Sequence, residues 1–142
     1  AITIDGDVFI LCCSLDKAGN DHAISSCLTW LAQFHASYLG NTPDGLWEVG
    51  TYWHLETRPQ ELAVLDDQRL KEAALIIDEK LNTCEYKTFV HGDPKLANFC
   101  FAEDGQVAAL DFQYVGGGCG IKDVVYLTDV KTIEDSELEK LK

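Results

Sequence analysis

Positive charge is scarce in this chain. Its 142 residues hold 11 Lys and Arg against 24 Asp and Glu, a formal net charge of −13. Such a surface repels nucleic acid and anionic membrane, which attract Lys/Arg patches, so neither is an expected partner. Any phosphate chemistry on so acidic a chain calls for a cation, and Mg²⁺ is the one that suits phosphates. Long apolar runs are missing too. The residues from 2 to 13 come nearest, and Asp5, Gly6 and Asp7 interrupt them far short of the ~20 residues of a transmembrane helix. The opening Ala1-Ile2-Thr3-Ile4 lacks the basic region of a targeting signal. It reads as a chain that begins inside a domain, with a cytoplasmic location expected.

Paired cysteine spacing is also absent. The six cysteines are Cys12, Cys13, Cys27, Cys84, Cys100 and Cys119, and no two form a CxxC pair. Reduced thiols are therefore expected, with no disulfides and no zinc. Cys27, Cys84, Cys100 and Cys119 sit in apolar settings where Cys packs as a small hydrophobe. Neither repeats nor an interdomain linker stand out.

What is present is an ordinary globular balance, 46% hydrophobic and 25% charged, which excludes disorder and leaves enough chain for one core. Asp5-Gly6-Asp7 between β-prone runs predicts a hairpin. Residues 22–39 repeat apolar side chains at steps of three and four (Ile24, Cys27, Leu28, Leu31, Phe34, His35, Tyr38), which predicts a helix capped by Asp21 and stopped by Gly40-Asn41. Residues 42–59 read as a long irregular stretch bearing Trp47, Tyr52, Trp53 and His54. A second helix is predicted over 61–81. Short strands follow at 88–90, 98–102 and 107–110, the last two joined by a turn at Glu103-Asp104-Gly105. Residues 116–120 read as a flexible glycine run, and two further helical stretches close the chain. The expected class is α+β, mainly helical with short β-hairpins.

The chemistry concentrates between 90 and 111. Asp93, Lys95, Asn98 and Asp111 fall at the ends of short strands joined by tight turns, and a hairpin returns Asp111 toward Asn98. Phosphoryl transfer needs such a set: a carboxylate for the hydroxyl proton, a cation for developing charge, and oxygen ligands for Mg²⁺. Asp93 suits the base, Lys95 the cation, and Asn98 with Asp111 the metal. Gly92 lets the backbone pass tightly and Pro94 fixes φ after the base. The competing reading is an ordinary strand–turn–strand, since Asp, Gly, Pro and Asn are all turn formers.

The string His91-Gly92-Asp93-Pro94-Lys95-Leu96-Ala97-Asn98 resembles the HGDxxxxN catalytic loop of aminoglycoside phosphotransferases and choline kinases. Asp111-Phe112-Gln113 is similar to the DFG metal-binding motif, with Gln for Gly. Trp30-Leu31-Ala32-Gln33-Phe34-His35-Ala36, Gly50-Thr51-Tyr52-Trp53-His54-Leu55 and the residues from 111 to 123 resemble the choline-kinase-like branch that includes ecdysteroid kinase-like proteins. The resemblance implies a protein-kinase-like fold, with residues 1–14 as the end of the N-lobe sheet and hinge and 15–142 as the C-lobe core. It implies ATP and Mg²⁺ as cofactors, with Ile10, Leu11, Cys12 and Cys13 meeting the adenine. Asp93, Lys95 and His91 become the catalytic set, His91 chiefly as support for the loop. The acceptor becomes a small-molecule hydroxyl.

The phosphate-covering loop and strand lysine of such an enzyme are expected upstream of Ala1. These 142 residues are then expected to belong to a longer polypeptide or to self-associate through the open N-terminal strand edge. Two other readings compete: a non-catalytic remnant or binding module, and a metal-dependent phosphoester hydrolase built on Asp93, His91 and Asp111. The latter is disfavoured, because only His91 of the four histidines lies in the motif. His35 reads as a satisfied core histidine, Trp47, Tyr52 and Trp53 equally as packing or as an acceptor pocket, and Lys122 and Asp123 as a structural pair.

Overall fold

A computed structural model describes residues 2–4, 7–9, 17–51, 54–102 and 104–136, with side chains described from residue 22 to residue 128. The expected adenine-facing residues Ile10, Leu11, Cys12 and Cys13, and the loop aromatics Tyr52 and Trp53, lie outside the described residues. Short strands and helices mix as an α+β fold: β1 (Ile2–Ile4), β2 (Asp7–Phe9), α1 (Lys17–Ser37), α2 (Pro59–Val64), α3 (Gln68–Asn82), β3 (Lys87–Val90), β4 (Phe99–Phe101), β5 (Val107–Ala109), β6 (Gly116–Cys119) and α4 (Ile121–Ser136). The strands form three antiparallel pairs, β1–β2, β3–β6 and β4–β5. Pairing of Ile4 with Asp7 puts the first hairpin where Asp-Gly predicted it. No helix of the described residues is long and apolar enough to cross a membrane.

Helix α1 begins at Lys17, so Asp21 lies inside it rather than capping it. Its buried stripe is Ala23, Cys27 and Leu31, spaced by four, which aligns them on one face. Cys27 and Leu31 meet Phe99 of β4 and Leu127 of α4, with Trp30, Leu96, Phe101 and Val107 around them. That cluster is the core, and full burial of a side chain such as Leu31 stabilises by about 1.5–3 kcal/mol. It lies directly beneath the β4–β5 hairpin that carries the chemistry-bearing loop.

Three further expectations change. The two closing helical stretches are one helix, α4, over the described residues. The single helix over 61–81 is two, because Leu65 turns extended and the Asp67 carboxylate accepts from the amides of Arg69 and Leu70. An aspartate able to satisfy the free amides of a new helix start ends the old helix. The glycine run is not flexible. It is strand β6, paired residue by residue with β3, and the loop before α2 lies along its other side. Gly50 donates to the Gly117 carbonyl (2.8 Å) and Gly117 donates to that of Trp47 (3.0 Å). A Cβ at Gly116 would collide with the Trp47 carbonyl and lie 2.7 Å from its Cβ. The glycines there admit a neighbouring backbone at a distance no side chain allows.

Candidate active site

Strand β3 delivers the chain into His91, whose ring packs against Phe112, Phe99 and Trp30, and hydrogen bonds fix the backbone of the next residues. Asp123, from the first turn of α4, is 1% exposed. Its Oδ2 accepts from the His91 amide (2.7 Å) and its Oδ1 from the Gly92 amide (3.0 Å). His35 of α1 donates from Nε2 to the same Oδ2 (2.9 Å). One carboxylate thus ties α1, α4 and the loop together, and a buried charge is stable only when so well met. Lys122 is not its partner, contrary to the sequence reading. The Lys122 Nζ is buried with no hydrogen-bond partner among the described residues. His35 is the satisfied histidine expected of it.

Gly92 adopts φ +87°, and a Cβ there would fall 2.5 Å from the Tyr114 carbonyl and 2.8 Å from the Thr51 amide. Thr51 Oγ1 donates to the Gly92 carbonyl (2.8 Å), closing the loop from the other side. The His91 ring is wholly buried. Its Nε2 donates to the Leu110 carbonyl (2.8 Å) and its Nδ1 accepts from the Asp93 amide (3.4 Å), which assigns the ring proton to Nε2. Both ring nitrogens are spent on backbone, so the ring joins the Asp93 loop to the residue preceding Asp111.

Asp93 is buried, and its Oδ2 accepts from Asn98 Nδ2 (3.0 Å) and Lys95 Nζ (2.8 Å). Asn98 Nδ2 also donates to the Asp93 carbonyl (2.8 Å). The Asn98 amide group therefore turns its nitrogen to Asp93 and leaves its oxygen for another ligand. A 3₁₀ turn, Leu96–Asn98, shapes this segment, so Asn98 precedes β4 rather than opening the strand expected over 98–102. The Leu110 amide donates to the Asn98 carbonyl (2.8 Å), so the returning β5 strand brings Asp111 beside Asn98. The hydrogen bond to Asp93 raises the Lys95 ammonium above its ordinary value, despite some opposing desolvation, and the charges of Asp93 and Asp111 add to it. Lys95 therefore stays charged and senses both carboxylates.

Strain marks the same place. Among the described residues, the non-glycine residues with positive φ are Thr51 (+81°) and Asp111 (+60°), which flank the loop. Each such position costs on the order of 1–3 kcal/mol, and such residues cluster at functional sites. Asp111 is exposed on this turn, whereas Asp93 is buried. Trp47 is 60% exposed, not packed beneath its loop, and its Nε1 donates to the Gln113 carbonyl (2.8 Å). Trp47, Glu48, Phe112 and Gln113 line a groove of about 450 Å³ that adjoins Asp111.

His91, Asp93, Lys95 and Asn98 are thus joined by direct hydrogen bonds, and Asp111 stands next to them. Sequence reasoning missed Asp123 and Thr51. A signal for Asp123 existed: it is a carboxylate four residues before Leu127 and next to Val124, on the side of the helix that apolar spacing turns inward. Thr51 carried none.

For a divalent ion, the donor set suits Mg²⁺. The Asn98 amide oxygen and the Asp111 carboxylate are hard oxygen donors. No group of three or more His, Cys, Asp or Glu converges among the described residues. Mg²⁺ is bound through one or two protein oxygens plus substrate phosphates rather than in an all-protein cage. No curated protein and no solved structure matches the chain. The model of the phosphotransferase enzyme family (APH) matches it from residue 4 to residue 140, and with nearly its whole length matched, the chain belongs to that family.

Proposed function

We propose that the chain forms the catalytic part of an ATP- and Mg²⁺-dependent phosphotransferase that moves the γ-phosphate to a hydroxyl of a small molecule. Family membership supports the reaction class. The observation that carries the residue roles is the setting of Asp93. It is a buried carboxylate with one oxygen held by Asn98 and Lys95, on a loop pinned by Asp123. Oδ2 is engaged, so Oδ1 is the oxygen offered to an incoming hydroxyl. Asp93 would orient that hydroxyl and take its proton as the bond to phosphorus forms. Lys95, kept charged by Asp93, supplies positive charge beside the transferring group. His91 acts as a positioning residue, because it holds Asp93 and Leu110 in one frame.

Asn98 and Asp111 would hold Mg²⁺, which neutralises charge on the phosphates when bound. Ile10, Leu11, Cys12 and Cys13 are the proposed adenine contacts, with the phosphate-covering part supplied by a longer polypeptide. The acceptor class follows the choline-kinase-like and ecdysteroid kinase-like branch that the flanking strings resemble. The groove beside Trp47 and Phe112 is its proposed seat.

The test is Asp93→Asn in the complete native polypeptide, assayed with Mg·ATP and a panel of small hydroxyl acceptors. Turnover should fall by at least about 10²–10⁴-fold, the usual contribution of a general base. ATP binding, read by calorimetry, should persist. Near-normal turnover would remove Asp93 from the mechanism.

A further inference from the structure

We propose that Cys84 and Cys119, with Lys122 beside them, form a peroxide-sensitive modification site at which the two thiols close as a disulfide. The segments concerned are far apart in sequence. Cys84 follows the C-terminal end of α3, and Cys119 is the last residue of β6. The β3–β6 register sets Lys87 opposite Cys119, which brings the start of β3 and the cysteine just before it alongside. The Cys84 thiol turns back toward the Tyr86 carbonyl (3.7 Å), at the end of β3 that lies against Cys119, and the nearby Cys119 thiol is among the groups that raise it.

The second observation is the Lys122 ammonium. Its stem passes Gly118, with Cδ 3.8 Å from where a Cβ would stand. Its Nζ is sealed from solvent with no hydrogen-bond partner among the described residues. An unmet buried ammonium costs several times what an exposed one does. The groups whose charge it senses are Asp78, Cys119, Asp123 and Cys84. Asp123 already receives three donors, whereas the two thiols can each supply an anion. Asp78, the strongest of these charges, also accepts from Asn82 (2.9 Å), so a thiolate here meets an ammonium that has charged neighbours but no hydrogen-bond partner among the described residues.

Neither Cys27 nor Cys100 shares this setting. Both are buried, and burial pushes the Cys27 thiol up to about 12. Cys119 interacts with Lys122 more strongly than Cys84 does, and burial and the neighbouring Cys119 raise the Cys84 thiol. The raised Cys84 is accordingly the resolving thiol, which leaves Cys119 as the attacking one. The Cys119 sulfur attacks the O–O bond of hydrogen peroxide, forming a sulfenic acid and releasing hydroxide, which takes a proton and leaves as water. The Cys84 sulfur then displaces the sulfenic oxygen as a second water. Two thiols lose two electrons, and one peroxide is reduced to two waters. All four described cysteines are free in this structure, which is the reduced state.

The experiment exposes the intact chain to low hydrogen peroxide, alkylates remaining thiols after denaturation, and maps the peptides by mass spectrometry. The expected result is a Cys84–Cys119 linkage, reversed by dithiothreitol, with Cys27 and Cys100 still alkylated. Cys84→Ser should leave Cys119 as a trappable sulfenic acid. Lys122→Met should slow linkage several-fold, because the cation that favours a thiolate there is gone. Because that variant removes a buried unmet charge, it should fold at least as well as the parent, which denaturation would check. The proposal is overturned if both thiols stay alkylatable after peroxide, if Cys119 links instead to another cysteine, or if Lys122→Met links at the parent rate.

Discussion

Helices α3 and α4 carry comparable shares of apolar residues but make very different use of them. Helix α4 buries Asp123 and Leu127 and anchors the loop that bears Asp93. Helix α3 buries no residue at all, and Leu70, Leu75, Ile76 and Ile77 are each more than half exposed. Apolar periodicity therefore told where a helix forms but not what it packs against. Docking of α4 is specified by a polar residue whose three donors exist only in one arrangement. α3 is held by its cap at Asp67 and by contact with β6 and with the 3₁₀ turn at Leu55–Thr57. The lesson is that the site rests on directional bonds and the apolar helix beside it does not.

The sharpest way to break that contrast is Asp123→Ala. Three donors would lose their acceptor in a buried place, and breaking such a network costs about 3–5 kcal/mol. Urea denaturation should show the loss. If Asp123→Ala is as stable as the parent, the loop is anchored by something else. Gly116→Ala comes next, because its new methyl would press on the Trp47 backbone and force β6 and the loop apart. About 1–3 kcal/mol is expected, the usual cost of overpacking. Thermal melts would reveal it, and an unchanged melting temperature would mean the close approach is slack.

Lys122→Met should act in the opposite direction. Burial lowers the Lys122 pKa from 10.5, so between the folded value and 10.5 the unfolded chain binds more protons than the folded one. Stability from this group is present at high pH and is lost as pH falls through that window. The variant should gain about 1–3 kcal/mol at neutral pH by relieving an unmet donor. The gain should shrink toward pH 10.5, and chemical denaturation across that range checks both sign and window. The smallest effect is assigned to Ile77→Ala on the exposed face of α3. A change within about 0.5 kcal/mol is expected, and a loss several times larger would show that this face is covered in solution.

Much of the site was legible because it is local. The bonds from Asn98 and Lys95 to Asp93 span five and two residues, so the order of residues nearly dictates them. The α1 stripe and the Asp-Gly hairpin were legible for the same reason, since each depends on neighbours along the chain. The break between α2 and α3 was visible in principle, as Asp66-Asp67, yet apolar spacing running through it masked the cap. The glycine run was misread because a sequence of glycines says only that side chains are missing. Whether that absence gives freedom or admits a neighbour depends on what lies alongside.

By itself the sequence determined the α+β character, the acidic surface and the local loop geometry around Asp93, because these follow from composition and short-range hydrogen bonding. Only the tertiary structure decided the rest. It set Asp123 under the amides of His91 and Gly92, 32 and 31 residues away. It turned residues 116–119 into a packed strand, and it brought Cys84 to Cys119 beside a buried lysine. Each of these is a contact between segments whose partners are chosen by the closure of the whole fold, and no spacing along the chain encodes that choice.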